Sequence, residues 1–158
     1  MRKNTFSRQD AKYITDNVLH LLSPLDPVVV GAYRRETENI SKISVLVKMK
    51  LDRLEQKYQN IINGKCVING IPFNFHSYDD ENKGAKMLTY TGSQMFYALL
   101  AGSAKKQGMK LNKYGLWLNG YRVAGKSEKQ IFNCLGVRYY SATERNFFGK
   151  GKYYLEEI

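Results

Sequence analysis

The stretch TGSQMFYALLAGSAKKQGMKLNKYGL, Thr91 to Leu116, carries the most structural information in the chain. Thr91-Gly92-Ser93 reads as a turn opening a helix, and Met95, Phe96, Leu99 and Leu100 recur at the spacing of one buried face as far as about Lys106. Gly108 supplies the stop, because glycine takes the left-handed conformation at a helix end at least cost. KLNKYGLWL (110–118) then reads as a strand, Asn119-Gly120 as a tight turn and YRV (121–123) as the return strand. Ser127 with Gln130 is a capping box for a helix carrying Ile131, Cys134 and Leu135, stopped at Gly136. The tail from Tyr139 onward interleaves aromatic and basic residues.

Working outward toward the N-terminus, Ser7 and Asp10 form a second capping pattern. Ala11, Ile14, Val18, Leu21 and Leu22 follow at helical spacing before Pro24, which predicts a helix over 7–22. PVVVG (27–31) reads as a short buried strand turning at Gly31. In ISVLVKM (43–49), alternation puts Ile43, Val45 and Val47 on one face and Ser44, Leu46 and Lys48 on the other. Leu51, Leu54, Tyr58 and Ile61 or Ile62 mark a helix closing at Asn63-Gly64. KCVI and IPFNFH flank Asn69-Gly70, a strong hairpin signal. The order predicts an α+β protein in two lobes, 1–83 and 84–158.

The chain has 158 residues, 43% of them hydrophobic, enough for a core. Its longest apolar runs are too short to span a bilayer, and MRKNTFSRQDAKY lacks the apolar segment of a secretory signal. The expected location is therefore cytoplasmic or nuclear, in a cellular or a viral setting. Cys66 and Cys134 lack metal or redox spacing and are expected to be buried reduced thiols. His20 and His76 are too few for a zinc site. The net charge is +11: residues 1–81 carry 12 Lys/Arg against 10 Asp/Glu, residues 82–155 carry 13 against 2, and the last three add −2. A basic second half predicts a polyanion partner; the plainer reading is a solubilising lysine surface.

The second half then resembles a known family. Thr91-Gly92-Ser93, Phe96, Ala104-Lys105-Lys106, Gly108, Lys110-Leu111-Asn112, Tyr114-Gly115-Leu116, Ser127-Glu128, Ile131-Phe132, Leu135-Gly136, Tyr139 and Arg145 stand in the order found in the thumb of family X (DNA polymerase beta-like) polymerases. The first half resembles that family's nucleotidyltransferase palm, a mixed sheet with helices, through Gly31, Tyr33, Arg34, Arg35, Glu38 and the strand that follows. The chain offers no counterpart of the lyase and fingers domains. The resemblance implies triphosphate contacts at Gly31, Arg34 and Arg35. For Arg34-Arg35, surface pairing with Glu36 or Glu38 is the alternative.

The family carries an Asp-x-Asp pair on the strand after these arginines and a third Asp on a later strand. Ungapped counting puts Lys42, Ser44 and Asn74 at those places. Two-metal phosphoryl transfer needs Mg²⁺ ions held by carboxylate oxygens. Changing three negative charges to +1, 0 and 0 repels the metal, so no Mg²⁺, other metal or cofactor is expected at this site. Ala32 in place of a serine, and Tyr97 and Ala101 where the family has asparagine and arginine, point away from templated nucleotide selection.

The expectation is a catalytically silent protein that binds DNA, with RNA as the other polyanion. Lys105, Lys106, Lys110, Lys113, Lys126, Arg138 and Arg145, the Asn112 side chain and the Gly92 and Ser93 amides are the expected contacts. Trp117 is expected in the core, and the tyrosines of the tail either stack on bases or serve the core. Two alternatives stand beside this. One is a scaffold for a replication or repair protein; the other is an active nucleotidyltransferase that relocates its metal to Asp79, Asp80 and Glu81.

Overall fold

The computed structural model describes residues 4–158. The chain divides into two compact units, Met1–Tyr78 and Asp79–Ile158, and its class is α+β. The boundary read from sequence, between 83 and 84, lies five residues further on. In the structure, Asp79–Asn82 forms the entry turn of the following helix. Asp79 Oδ1 accepts from the Glu81 and Asn82 amides, and Asn82 Oδ1 accepts from the Asp79 amide.

In the first unit, helix α1 spans Arg8–Leu21, with the Ser7 hydroxyl accepting from the Asp10 amide at 3.0 Å as its cap. A four-stranded mixed sheet follows, built from β2 (Val28–Val30), β4 (Ile43–Val47), β6 (Ile71–Ser77) and β5 (Lys65–Ile68) in that spatial order. β4 pairs antiparallel with β2 and parallel with β6, while β5 and β6 form the expected hairpin through Asn69-Gly70. β1 (Phe6–Ser7) pairs with β3 (Asn39–Ile40), and α2 (Gly31–Arg34) makes the turn after β2.

Two expectations shift in this unit. β4 is buried on both faces rather than one, as befits a central strand with a parallel neighbour. The helix after Leu51 is only α3 (Leu51–Lys57), because the chain leaves helical geometry at Tyr58 and drops Ile61 into the core. Gly64 then turns at φ +74 so close to the Phe75 carbonyl, 2.9 Å from an ideal Cβ, that no larger residue fits without a shift.

In the second unit, α4 (Lys83–Thr91) precedes α5 (Gln94–Lys106). Only α5 is legible in the sequence. α5 is capped by Ser93 and ends at Gly108, whose amide bonds back to Lys105. The run 110–118 is two strands, β7 (Lys110–Asn112) and β8 (Gly115–Leu118), which turn at Lys113-Tyr114 and continue into β9 (Tyr121–Ala124) as one antiparallel sheet. Gly115 permits the turn: it sits at φ +151, and a Cβ there would lie 2.8 Å from the Ala124 carbonyl.

α6 (Glu128–Leu135) starts at the Ser127 cap. Gln130 departs from the capping box, its Oε1 accepting from the Gly125 and Lys126 amides. Leu88, Phe96, Leu100, Leu116, Phe132 and Tyr140 form the core, with the Phe96 ring 5.0 Å from that of Phe148 and 5.7 Å from that of Tyr140. Met95 and Cys134 lie off their helices' apolar faces and are exposed, and Cys66 is half-buried, so none of the three is the buried residue expected. No helix among the described residues is long and apolar enough to cross a membrane.

Candidate nucleic-acid-binding surface

The division at residue 79 changes the charge account. Met1–Tyr78 holds 12 Lys/Arg against 7 Asp/Glu, and Asp79–Ile158 holds 13 against 7, so the units carry +5 and +6 rather than a neutral and a basic half. What distinguishes the second unit is placement. Residues 82–127 contain eight Lys/Arg and no Asp/Glu. Most of the unit's acids gather elsewhere, at the entry turn and at the C-terminal corner.

That corner consumes its cations. Arg145, expected at the nucleic acid, is fully buried: its guanidinium takes both Glu128 oxygens at 2.8 and 3.2 Å and donates twice to the Tyr140 carbonyl. No donor is left facing solvent, so the residue organises the core and does not meet a phosphate. Arg138 is bound to Glu156 at 2.7 Å and Glu144 at 3.0 Å and lies 3.9 Å over the Tyr140 ring. These bonds, Glu156 first, hold its pKa above the ordinary arginine value. Lys152 binds Glu156 at 2.8 Å. The carboxylates respond in the other direction. Glu144 is lowered by the Ser141 amide and then by Arg138, and Glu156 by Lys152 and then by Arg138.

The cations from the end of α5 to β9 have no such partners. Lys105 and Lys106 occupy the last exposed turn of α5. Lys110 stands opposite Trp117, and Trp117 opposite Arg122, in one row across the sheet, while Leu111 and Leu116 fill the core from the other face. Trp117 is therefore half-buried on the outer face, with the Arg122 guanidinium 5.0 Å from its ring, and is not the core residue expected. Asn112 Oδ1 accepts from the Trp117 indole at 3.0 Å and from the Tyr114 amide at 2.9 Å. That fixes the carboxamide with its NH₂ donors outward, the orientation a phosphate requires.

Lys126 sits 3.7 Å from Glu81 in an exposed pair that water and salt screen, so it stays accessible to an anion. The Gly92 amide cannot help as expected, since it bonds to the Leu88 carbonyl; at Ser93, where the amide was the expected contact, the hydroxyl donates to the Arg145 carbonyl and accepts from the Phe96 amide as the helix cap.

Lys86 on α4 was not among the expected contacts. Only 6% exposed, its ammonium lies 5.0 Å from the Tyr114 ring, and Lys113 lies 5.4 Å from the same ring. Burial first, and then Lys113, lower its pKa, with Asp79 acting weakly against them. Its stem is buried while the ammonium, which has no carboxylate partner, still reaches solvent, where an arriving anion can meet it. The only advance signal was its place in the acid-free stretch.

In the first unit, Gly31 opens α2 at φ +70, and Arg34 and Arg35 are half-buried, with burial lowering Arg35. Lys42 is exposed just before β4, and Ser44 and Asn74 are direct cross-strand partners. An ammonium, a hydroxyl and a carboxamide do not fit a Mg²⁺ ion. Among the described residues, no group of three or more His, Cys, Asp or Glu is placed to hold a metal. Asp79 is engaged in the turn before α4, and Glu81 pairs with Lys126.

Residues 86–146 match the family model described as the DNA polymerase beta thumb. No curated protein matches the chain. The match runs from Lys86 through Asn146, taking in α5, the three-stranded sheet and α6, and residues 1–85 lie outside it.

Proposed function

We propose that this chain binds DNA through its polymerase-beta-type thumb and transfers no nucleotide itself. The observation that carries this reading is the run of eight cations without an acid over 82–127, most of them exposed around α5, β7 and the outer face of the sheet. Lys105, Lys106, Lys110, Lys113 and Lys126 supply charge to successive phosphates, the Asn112 NH₂ donates a directional bond, and Tyr114 offers a ring for a base. About five phosphate contacts would lower affinity several-hundred-fold between about 50 and 200 mM salt.

Silence in catalysis follows from the residue chemistry in the first unit. If that unit is the palm, its metal positions are Lys42, Ser44 and Asn74, which supply no carboxylate oxygen and bring a positive charge of their own. Phosphoryl transfer of the two-metal type then has no site.

A gapped duplex and a DNA hairpin titrated over that salt range test the first part, and primer extension with Mg²⁺ and with Mn²⁺ tests the second. Steeply salt-dependent binding without extension is expected. Salt-insensitive binding contradicts the electrostatic grip, and robust incorporation contradicts the silence. Capture of a replication or repair protein after nuclease treatment, with no DNA affinity, would instead favour a scaffold.

A further inference from the structure

Of the 13 glycines in the chain, Gly102 is the one without a local reason. Ten others turn the backbone at positive φ, and at Gly84 and Gly125 a Cβ would lie 2.2 and 2.7 Å from neighbouring backbone. Gly102 instead sits inside α5, where a Cβ would meet nothing within 4 Å. Glycine is the poorest helix former after proline, so the bare position costs stability that no packing within the protein offsets.

The space beside Gly102 is a groove of about 640 Å³ within the second unit, the size of a small-molecule site. Ala98, Gly102 and Lys106 form one stripe along α5, since residues four apart share a helix face. The end of α6 continues the lining, and the tail beyond Lys152 makes the far wall. The tail is fixed in place. The Arg138 amide donates to the Glu156 carbonyl at 2.8 Å, the Ile158 amide to the Gly136 carbonyl at 3.0 Å, and the Glu156 amide to the Tyr140 hydroxyl at 2.9 Å. Gln107 Nε2 donates to the Leu135 carbonyl at 2.9 Å and ties α5 to α6. The far wall lies past Asn146, where the match to the thumb model stops, so it is no part of the matched segment.

We propose that this groove binds a small aromatic monoanion, one or two fused rings carrying a carboxylate. The strip at Ala98 and Gly102, nearly free of side chains, gives a flat ring a floor, and Tyr153 and Tyr154 give it aromatic partners. Lys106, one turn beyond Gly102, is the only cation of the lining and has no ion-pair partner among the described residues. Its ammonium meets the carboxylate. The Ser103 hydroxyl accepts from Gln107 Nε2 at 3.3 Å and keeps its proton for a ligand oxygen. Glu157, the only acid of the lining, disfavours a phosphate dianion and so separates this ligand from a nucleotide.

Calorimetric titration of the full chain with 2-naphthoate, in the absence of DNA, tests this. Saturable one-to-one binding is expected, about tenfold or more tighter than for the neutral analogue 2-naphthalenemethanol, as one charge-assisted bond gives. Gly102→Leu fills the groove without a clash. It should keep or raise the melting temperature without ligand and weaken naphthoate about tenfold or more. Y153A/Y154A, altered at two exposed positions, should melt like the parent and lose severalfold in affinity; it decides the matter if G102L does not fold.

The idea is overturned by no saturable binding at millimolar naphthoate, or by parental affinity in either variant. It is equally overturned if 2-naphthalenemethanol, octanoate or deoxyadenosine monophosphate binds as tightly as naphthoate. G102L should bind DNA like the parent. Loss there would make the groove part of the nucleic-acid grip and overturn the small-molecule site, whereas failure of the parent to bind DNA would leave it standing.

Discussion

The second unit buries two cations, and they are opposites. Arg145 is enclosed with all three side-chain nitrogens donating, to Glu128 and the Tyr140 carbonyl; Lys86 is nearly as buried, beside a second lysine and a tyrosine ring. Around Arg145 the protein has brought its acids to its bases, and the result is structure. Around Lys86 and along α5, β7 and β9 it has left the bases unmatched, and the result is a surface that attracts anions. Net charge alone does not separate these regions; pairing does.

The largest effect should come from breaking the matched side. Glu128→Ala leaves the Arg145 guanidinium buried without a carboxylate, a change worth about 3–5 kcal/mol. Urea or thermal unfolding should show the second unit destabilised, with DNA binding falling only as folding fails. A variant that melts like the parent would mean the pair is not structural.

On the unmatched side, Tyr114→Ala should cost about 1–3 kcal/mol in binding to single-stranded or gapped DNA if the 46%-exposed ring stacks on a base. Blunt duplex should be affected less, and equal losses on both would place the ring in positioning rather than stacking.

Lys86→Met sharpens the contrast, because its two effects have opposite signs. DNA binding should weaken, with the log–log salt slope shallower by about 0.9, while the unliganded protein should become more stable at neutral pH. The pKa of Lys86 is lowered in the fold, so its charge penalty is fully present where folded and unfolded chains are both protonated. The penalty fades as pH rises from the folded value toward that of an ordinary lysine. The stability advantage of Lys86→Met should therefore shrink on raising the pH, and thermal melts across pH 7 to 10 would show it.

The smallest effect lies at the acidic end. Glu144 and Glu156 have lowered pKa values, so their contribution is present above the ordinary glutamate range and disappears as pH falls through the folded values. Melts from pH 6 to 3 should show this loss in the parent and less of it in Arg138→Ala. The pairs are exposed, and salt should mute the difference.

Local chemistry explains which parts of this could be read in advance. Asn69-Gly70 and Asn119-Gly120 specify tight turns by themselves, and Ser7 and Ser127 cap helices from within four residues, so both hairpins and both helix starts were visible. α4 was not, because Asn82 makes no side-chain cap to it and the helix begins in a lysine-glycine run without a clear apolar stripe. The lysines of α5 and β7 were identifiable from charge and family order. The fate of Arg145 depended on Glu128, 17 residues away, folding against it, and no local pattern announces such a pair. The burial of Lys86 was hidden for the same reason.

The most direct test is the salt dependence of DNA affinity in three proteins: the parent, K105A/K106A/K110A/K113A and Arg138→Ala. If unpaired cations carry the grip, the quadruple variant should lose roughly 3 to 4 units of log–log slope, about 0.9 per phosphate contact, while Arg138→Ala keeps the parental slope. An unchanged slope in the quadruple variant, or an equal loss in Arg138→Ala, would contradict the account.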